Sequence, residues 1–177
     1  MSVCVVVLAT GQSVTGEQVD CVREMHEAGA CQVVAISDAY LRMPTAEALV
    51  SNDLNWWRHH PEALQFAGRK FCGHHCPGTE RLQPTSQFSS GTNSGLQGMR
   101  VARDYLKATR ILLVGFDMHG THYFGKHPEP LRNTTPARFT RHLAQFRVWS
   151  GCEVINCTPG SALTRFEMGE LRAVLRP

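Results

Sequence analysis

The chain has 177 residues, of which 42% are hydrophobic and 19% charged, a balance typical of one compact globular domain. A domain of this size buries about 70% of its unfolded surface, so the fold requires neither disulfides nor a structural metal. Lys and Arg outnumber Asp and Glu by 18 to 15 without forming a basic run, so charge gives no strong signal for a nucleic-acid partner. Arg138, Arg141 and Arg147 are interpreted as a solvated helix face.

Cysteine usage and the amino-terminal residues predict a cytoplasmic protein. The total of seven cysteines is odd, and Cys4, Cys21, Cys31 and Cys152 lie in apolar or helical patterns, as expected for reduced thiols in a core. Residues 1–8 lack the charged start of a signal peptide, and the chain holds no apolar run near the roughly 20 residues of a membrane span. We therefore expect no membrane partner.

The first third of the chain alternates buried strands with helical or polar segments. Residues 3–8 form a continuous β-branched run, which is typical of a strand buried on both faces. Residues 15–28 keep helical spacing of their apolar positions. A second buried strand is predicted over residues 32–36 and a short third strand over 48–50.

The middle of the chain continues this alternation with one irregular insertion. The pattern predicts a helix over residues 54–66, which Pro61 should break, kink or restart. Residues 71–90 are rich in Gly, Pro, Ser, Thr and His and predict a loop around one short edge strand. A helix over residues 96–108 and a strand over 111–114 follow.

The last third holds a second long insertion and the final elements. Residues 118–136 are too long for a simple connector and predict a functional loop. A helix over residues 136–149, a strand over 153–156 and a short helix in the tail from residue 162 follow. The fold class is therefore α/β, one Rossmann-like, doubly wound, mostly parallel sheet with helices on both faces, formed as a single nucleotide-binding domain over residues 1–177.

Polar groups follow nearly every predicted strand, and in doubly wound sheets ligands lie beyond the carboxyl ends of the strands. We expect nucleotide binding by the residues of these strand ends and of one predicted helix start: Thr10, Gly11, Gln12, Ser13, Ser37, Asp38, Asn52, Asp53, Asn93, Ser94, Gly95, Asp117, Thr158 and Ser161. The alternative for each is a plain turn or a helix cap. The loop after the first strand matches neither G-x-G-x-x-G nor a P-loop.

Two further groups of residues are candidates for catalysis or metal binding. His122, Tyr123 and His127 lie within six residues just past a strand end, where an imidazole suits a general base and Lys126 a phosphate; the alternative is solvent-exposed loop histidines. A weaker hypothesis is a zinc site at Cys72, His74, His75 and Cys76. These residues resemble half of a zinc ligand set, and no second Cys/His pair at zinc spacing follows them. We otherwise expect no metal, since Asp53 and Asp117 at strand ends more often cap a loop than bind magnesium.

The order of several short stretches resembles the bacterial sialyltransferases that have one Rossmann-like domain, and the related pterin-diphosphokinase-like proteins. It is also similar to an uncharacterised small-protein family of tailed bacteriophages. The matching stretches are Leu8-Ala9-Thr10-Gly11-Gln12-Ser13, Ala35-Ile36-Ser37-Asp38, Ser94-Gly95, Leu113-Val114-Gly115-Phe116-Asp117, His122-Tyr123-Phe124-Gly125-Lys126-His127 and Cys157-Thr158-Pro159-Gly160-Ser161.

The resemblance implies a nucleotide or nucleotide-sugar ligand, of the cytidine type, and no other cofactor. It implies that Thr10, Gly11, Ser37, Asn52 or Asp53, Asn93, Ser94 and Gly95 hold this ligand. His127 matches the family's base, with His122 or Tyr123 steadying the leaving phosphate. The sequence departs from the family in having Thr10 for Asn, in the additional Lys126, and in the near absence of a lid between Asp117 and His122.

Three functions follow as hypotheses. The first is a glycosyltransferase-like (sialyltransferase-like), metal-independent group transfer with a His base, in which helix starts at Ser13 and Ser94 supply uncharged donors. The second is a non-catalytic phage protein, in the host cytoplasm, that binds or sequesters a nucleotide or acts in phage morphogenesis; the short lid favours it. The third is the zinc-dependent role. A homo-oligomer is compatible with each of them.

Overall fold

Eight strands form one all-parallel sheet in the computed structural model, which describes residues 2–175. In chain order they are β1 (Cys4–Leu8), β2 (Gln32–Ile36), β3 (Ala48–Val50), β4 (Arg69–Cys72), β5 (Glu80–Arg81), β6 (Arg110–Val114), β7 (Glu153–Asn156) and β8 (Glu167–Met168). Their order across the sheet is β5-β4-β3-β2-β1-β6-β7-β8. The strand order reverses direction between β1 and β6, so the predicted Rossmann-like, doubly wound class is confirmed.

Five helices connect or flank the strands. They are α1 (Gly16–Glu27), α2 (Leu54–His59), α3 (Ser94–Asp104), α4 (Pro136–Gln145) and α5 (Leu171–Val174), with 3₁₀ turns at Ser37–Leu41, Pro61–Gln65 and Phe146–Val148. Between residues 2 and 175, no helix has both the length and the apolar character needed to cross a bilayer.

The sheet separates two apolar layers, and β1 contributes to both. Val6 and Leu8 pack into the layer that holds the buried side chains of α1, α2 and α5. Val5 and Val7 pack into the opposite layer, which holds those of α3. All four side chains are fully buried, which explains why this strand reads as an unbroken apolar run.

The predicted helices differ from the observed ones mainly at their ends. The helix expected over residues 54–66 is α2 followed by a separate 3₁₀ turn, because Pro61 cannot continue an α-helix and instead begins the turn. The helix expected over 96–108 is α3, which begins two residues earlier because the Asn93 side chain caps it. The helix expected over 136–149 is α4, which ends at Gln145 and is followed by the 3₁₀ turn Phe146–Val148.

The strands at and near the sheet edges were the hardest to predict. β4 begins at Arg69 and Lys70 and ends in the buried Phe71 and Cys72, so the loop expected to start at residue 71 starts later. β5 is the expected short edge strand. β8 was not predicted, because it has two exposed residues and therefore no hydrophobic pattern.

Candidate functional site

The carboxyl ends of β1, β2, β3 and β6 open into one cleft of about 690 Å³. The loops after these strands supply part of its lining, and the start of α3 and residues 118–145 supply most of the rest. The predicted ligand-binding and catalytic residues that line it are Thr10, Gly11, Ser37, Asn52, Asp53, Asn93, Ser94, Gly95, His122 and His127. Sequence positions up to 117 residues apart are thus brought to one edge of the sheet.

Strained backbone is concentrated at this cleft. Within residues 2–175, three residues other than glycine have positive φ, and two of them, Ser37 (φ 47°) and Met118 (φ 59°), line the cleft. The left-handed conformation costs energy for residues with a Cβ, and it persists where the surrounding structure enforces it, often at functional sites.

Asp117 lies beneath the cleft and holds the loop after β1. Its carboxylate is buried and accepts hydrogen bonds from the Ser13 main-chain N–H (3.0 Å) and from the Ser13 hydroxyl (2.9 Å). Thr15, not Ser13, caps α1, so the expected helix start at Ser13 is wrong. Neither Asp117 nor Ser13 lines the cleft, and the two residues form hydrogen bonds with each other.

Other predicted residues likewise connect loops instead of lining the cleft. The Thr158 hydroxyl accepts from the Phe116 N–H (2.9 Å), and the Ser161 hydroxyl donates to the Phe116 carbonyl (2.5 Å). The Gln12 side-chain carbonyl accepts from the Thr121 N–H (3.2 Å). These bonds fix the loop after β6, which carries part of the cleft wall.

Asn52 and Asp53 line the cleft, but their polar side-chain atoms form hydrogen bonds with other residues of the protein. The Asn52 amide donates to the carbonyls of Ser90 (2.7 Å) and Thr92 (2.6 Å), while its oxygen accepts from the Gly73 N–H (2.6 Å). The Asp53 carboxylate caps α2 by accepting from main-chain N–H groups of its first turn. Asp53 and Asp117 therefore both make the capping contacts that were the alternative to magnesium binding.

His122 and His127 stand next to each other on the cleft wall. The Nδ1 atom of His122 lies 2.8 Å from the Thr10 hydroxyl, and the two imidazole centroids are 4.5 Å apart. Phe124 stacks on His122 with the ring planes 5° apart. The Nε2 atom of His127 lies 4.0 Å from the Asp38 carboxylate.

Both imidazoles are in the neutral form near pH 7. Burial lowers the pKa of His122 to about 4, and the neighbouring His127 lowers it further than the Asp38 charge raises it. Burial also lowers the pKa of His127, against an opposing effect of Asp38. A neutral imidazole can accept a proton, which is the requirement for a general base.

Asp38 is buried behind the cleft wall and does not line it. Its carboxylate accepts from the Trp56 indole N–H (2.8 Å) and lies 3.3 Å from Nε2 of His60. Its main-chain carbonyl accepts from the Tyr123 hydroxyl (3.1 Å). Tyr123 is thus tied to the 3₁₀ turn after β2 and does not line the cleft, and the Arg42 guanidinium covers its ring at 3.9 Å from the centroid.

One face of α4 forms a basic wall of the cleft, which the sequence analysis missed. Arg138, Arg141, His142 and Gln145 follow helical spacing and line the cleft together. Burial, together with the two arginines, lowers the pKa of His142. Gln145 joins this wall to the start of α3, because its side-chain carbonyl accepts from the Asn93 N–H (2.8 Å) and amide (2.7 Å).

The basic character of this wall was visible in the sequence as a regional charge imbalance. Residues 118–149 hold five Lys and Arg but one acidic residue, Glu129, which gives a net charge of +4 against +3 for the whole chain. Four of these five cations, Lys126, Arg132, Arg138 and Arg141, line the cleft. Arg141 is exposed and Arg138 half-buried, so this helix face is solvated as interpreted, but these two arginines face the cleft. Arg147 is exposed and lies outside the cleft.

The four residues of the zinc hypothesis do not form a cluster. Cys72 is buried at the end of β4, where burial raises the pKa of its thiol, and His74 lines the cleft while His75 is exposed. Across residues 2–175, no three His, Cys, Asp or Glu side chains are arranged to hold a metal ion.

The fold and the cleft define a protein of the Rossmann-like, doubly wound α/β class with a basic cleft at the carboxyl edge of its sheet. Comparisons of the chain with protein-family models, curated proteins and solved structures gave no match.

Proposed function

We propose that the cleft binds a nucleotide or nucleotide-sugar and that the protein catalyses metal-independent, glycosyltransferase-like group transfer. The observation that carries this proposal is the charge of the cleft. Lys126, Arg132, Arg138 and Arg141 face it, and Asp53 is the one acidic residue in its described lining. The four Lys and Arg side chains less Asp53 leave the described lining with a formal charge of +3, which favours an anionic ligand.

The four cations are available for direct contact with phosphate. Among the described residues, none of them lies within 4.0 Å of a carboxylate, whereas Arg69 and Arg110 elsewhere in the chain each pair with a glutamate. Arginine and lysine form short, charge-assisted hydrogen bonds with phosphate oxygens. The pKa values of His122, His127 and His142 are lowered, so the attraction near pH 7 comes mainly from the Lys and Arg side chains.

His127 is the proposed base of the transfer step. Its imidazole takes the proton of the acceptor hydroxyl as that oxygen forms a bond to the anomeric carbon of the donor sugar. The bond between this carbon and the donor's phosphate oxygen breaks, and its electron pair stays on the phosphate. The basic wall stabilises the additional negative charge on the leaving phosphate, and His122 supplies a neutral hydrogen-bonding group. These roles agree with those that the sialyltransferase resemblance implies.

One distance favours the alternative, a phage protein that binds or sequesters a nucleotide without turnover. The 4.0 Å between His127 Nε2 and the Asp38 carboxylate exceeds a hydrogen bond. His127 is therefore not held by the carboxylate in the way that a general base is commonly oriented.

Binding and turnover are tested in sequence. A thermal-shift screen of nucleotides and nucleotide-sugars identifies ligands, and hydrolysis of the best donor is then followed for wild type, His127→Gln and His119→Gln. His119 is the matched control, since it also lines the cleft but is exposed at its rim. We expect at least about a 100-fold loss of turnover for His127→Gln alone. Binding without turnover supports sequestration, and absence of binding contradicts both forms of the proposal.

A further inference from the structure

Phe139 presents an aromatic ring to the cleft from the basic wall of α4. It lines the cleft together with Arg138 and Arg141, and its side chain is half-buried. Trp56 and Phe116 are the other Phe, Tyr or Trp residues of the described lining, and both are buried, with 3% and 1% of their surface exposed. Phe139 is therefore the one of these three aromatic residues with ring surface left for a ligand to cover.

The Phe139 ring lacks the packing partners that the other phenylalanines have. Among residues 2–175, it packs in neither of the two apolar layers. It also has no aromatic ring, imidazole or guanidinium against it in this part of the chain, whereas each of the other seven phenylalanines has at least one: Phe66, Phe71, Phe88, Phe116, Phe124, Phe146 and Phe166. The fold thus leaves an apolar ring uncovered at the cleft.

The helix that carries this ring is itself little buried. None of the ten residues of α4 is buried, and within residues 2–175 Leu143 is its one apolar side chain that packs against a core layer. Gln145 fixes the end of the helix, with hydrogen bonds to Asn93 and to the Gly91 carbonyl (3.2 Å). An amphipathic helix ordinarily packs its apolar side chains against a partner. For Phe139, the open cleft takes the place of that partner.

Positive charge lies next to the Phe139 ring on the same helix. Arg138 directly precedes it, and Arg138 and Arg141 are neighbours on the helix surface because they are three residues apart. A small ligand at this wall therefore meets an aromatic face and positive charge within one helical turn. Nucleotides combine a planar aromatic base with phosphate, whereas sugar phosphates and inorganic pyrophosphate lack the base. The wall of α4 matches both parts of a nucleotide.

We propose that Phe139 is the base-stacking residue of the cleft, so that the cleft selects its ligand for a nucleobase as well as for phosphate. This inference rests on the proposed nucleotide binding but does not depend on turnover. Stacking on an aromatic side chain tolerates every base, because each base has a π face. Phe139 therefore distinguishes nucleotides from phosphates without a base, and other residues determine which base is bound.

The test is isothermal titration calorimetry of wild type, Phe139→Leu and Phe139→Tyr. The probes are the diphosphates of cytidine, uridine, adenosine and guanosine, and two phosphates without a base, ribose 5-phosphate and inorganic pyrophosphate. Leu keeps an apolar side chain without a π face, and Tyr keeps the ring. We expect Phe139→Leu to lower the affinity for each nucleoside diphosphate by about 10-fold and to leave the affinity for the two probes without a base unchanged.

Two controls make the result specific to the ring. Phe139→Tyr should bind all probes as the wild type does. Val148→Ala should do the same, because Val148 is an exposed apolar residue that follows α4 outside the cleft. Since Phe139 packs in neither core layer among the described residues, Phe139→Leu should also keep the wild-type melting temperature.

Proton NMR of the bound nucleotide reports stacking directly. The ring current of a stacked aromatic side chain shifts the base protons upfield. The base protons of cytidine diphosphate should therefore shift upfield on binding to wild type and Phe139→Tyr, and less on binding to Phe139→Leu.

Four results would overturn the proposal. If nucleotides bind and Phe139→Leu changes nothing, stacking fails while the proposed nucleotide binding stands. An equal loss of affinity for the two probes without a base would show that Phe139 shapes the basic wall instead of stacking. A wild-type dimer in sedimentation velocity that becomes a monomer in Phe139→Leu would assign the ring to a contact between copies. If the wild type binds none of the probes, the proposed function fails and stacking fails with it.

Discussion

Replacing Asp117 by alanine removes the carboxylate that holds the loop after β1 against the end of β6. The carboxylate is 3% exposed and accepts two hydrogen bonds, both from Ser13. Hydrogen bonds to a charged group contribute about 1.5–3 kcal/mol each, and relief of the buried charge returns part of that sum. We expect Asp117→Ala to lower the free energy of unfolding by about 3 kcal/mol.

Two further variants make this prediction specific. Asp117→Asn retains an acceptor for the Ser13 N–H and an amide that can donate to the Ser13 hydroxyl, so about 1 kcal/mol should be lost. Asp20→Ala is the control, because Asp20 is 60% exposed and pairs with Arg23 on the surface of α1. A pair of this kind contributes less than about 1 kcal/mol.

Urea denaturation followed by circular dichroism measures all three variants. The reasoning is refuted if Asp117→Ala loses less than about 1 kcal/mol. A wild-type stability that rises with added Mg²⁺, and does so no longer in Asp117→Ala, would instead support magnesium binding at this residue.

Three more predictions concern stability. Burial lowers the pKa of His122 to about 4, so between pH 6.5 and 4 only the unfolded chain takes up a proton at this residue. As the pH falls over that range, the free energy of unfolding should decrease by about 2 kcal/mol, a figure that allows for the partial exposure of the ring. The decrease should be smaller in His122→Gln. The two ring nitrogens of His26 lie 3.1 Å from carbonyl oxygens, that of Cys31 before β2 and that of Thr45 before β3, and at least one of them donates a hydrogen bond. His26→Ala should therefore cost about 1 kcal/mol in urea denaturation and His59→Ala less than about 0.5. A Cβ at Gly11 would overlap atoms of the loop after β6, so Gly11→Ala should lower the melting temperature by several degrees, about 5 °C, whereas Gly16→Ala, with open space around it, should not lower it.

The sheet and the location of the cleft were predictable because both depend on strong local patterns. The apolar runs of β1, β2 and β6 have no polar interruption, since these strands are covered on both faces. Right-handed crossovers then place their carboxyl ends at one edge. The two-residue strands β5 and β8 bury neither face, so no such pattern exists for them, and only β5 was expected.

The direction of each polar side chain at that edge was not predictable. Ser37 and Asp38 are adjacent after β2, yet Ser37 lines the cleft, whereas Asp38 does not and accepts instead from the Trp56 indole N–H. The same applies to α4, where helical spacing shows that Arg138 and Arg141 share a face but not what that face meets. Such side-chain directions depend on contacts between residues far apart in the sequence.

The central claim, a basic cleft that binds a phosphorylated ligand, is tested most directly by isothermal titration calorimetry. The best nucleotide or nucleotide-sugar of the screen is titrated into wild type, the double variant Arg138→Gln/Arg141→Gln, and Arg147→Gln, which removes the same kind of charge outside the cleft. The double variant loses two charged contacts worth about 1 kcal/mol each, so its affinity should be lower than that of the wild type by about 30-fold. The affinity of Arg147→Gln should be within about twofold of the wild-type value. Equal affinities in all three proteins, or no binding of any phosphorylated compound by the wild type, would contradict the claim.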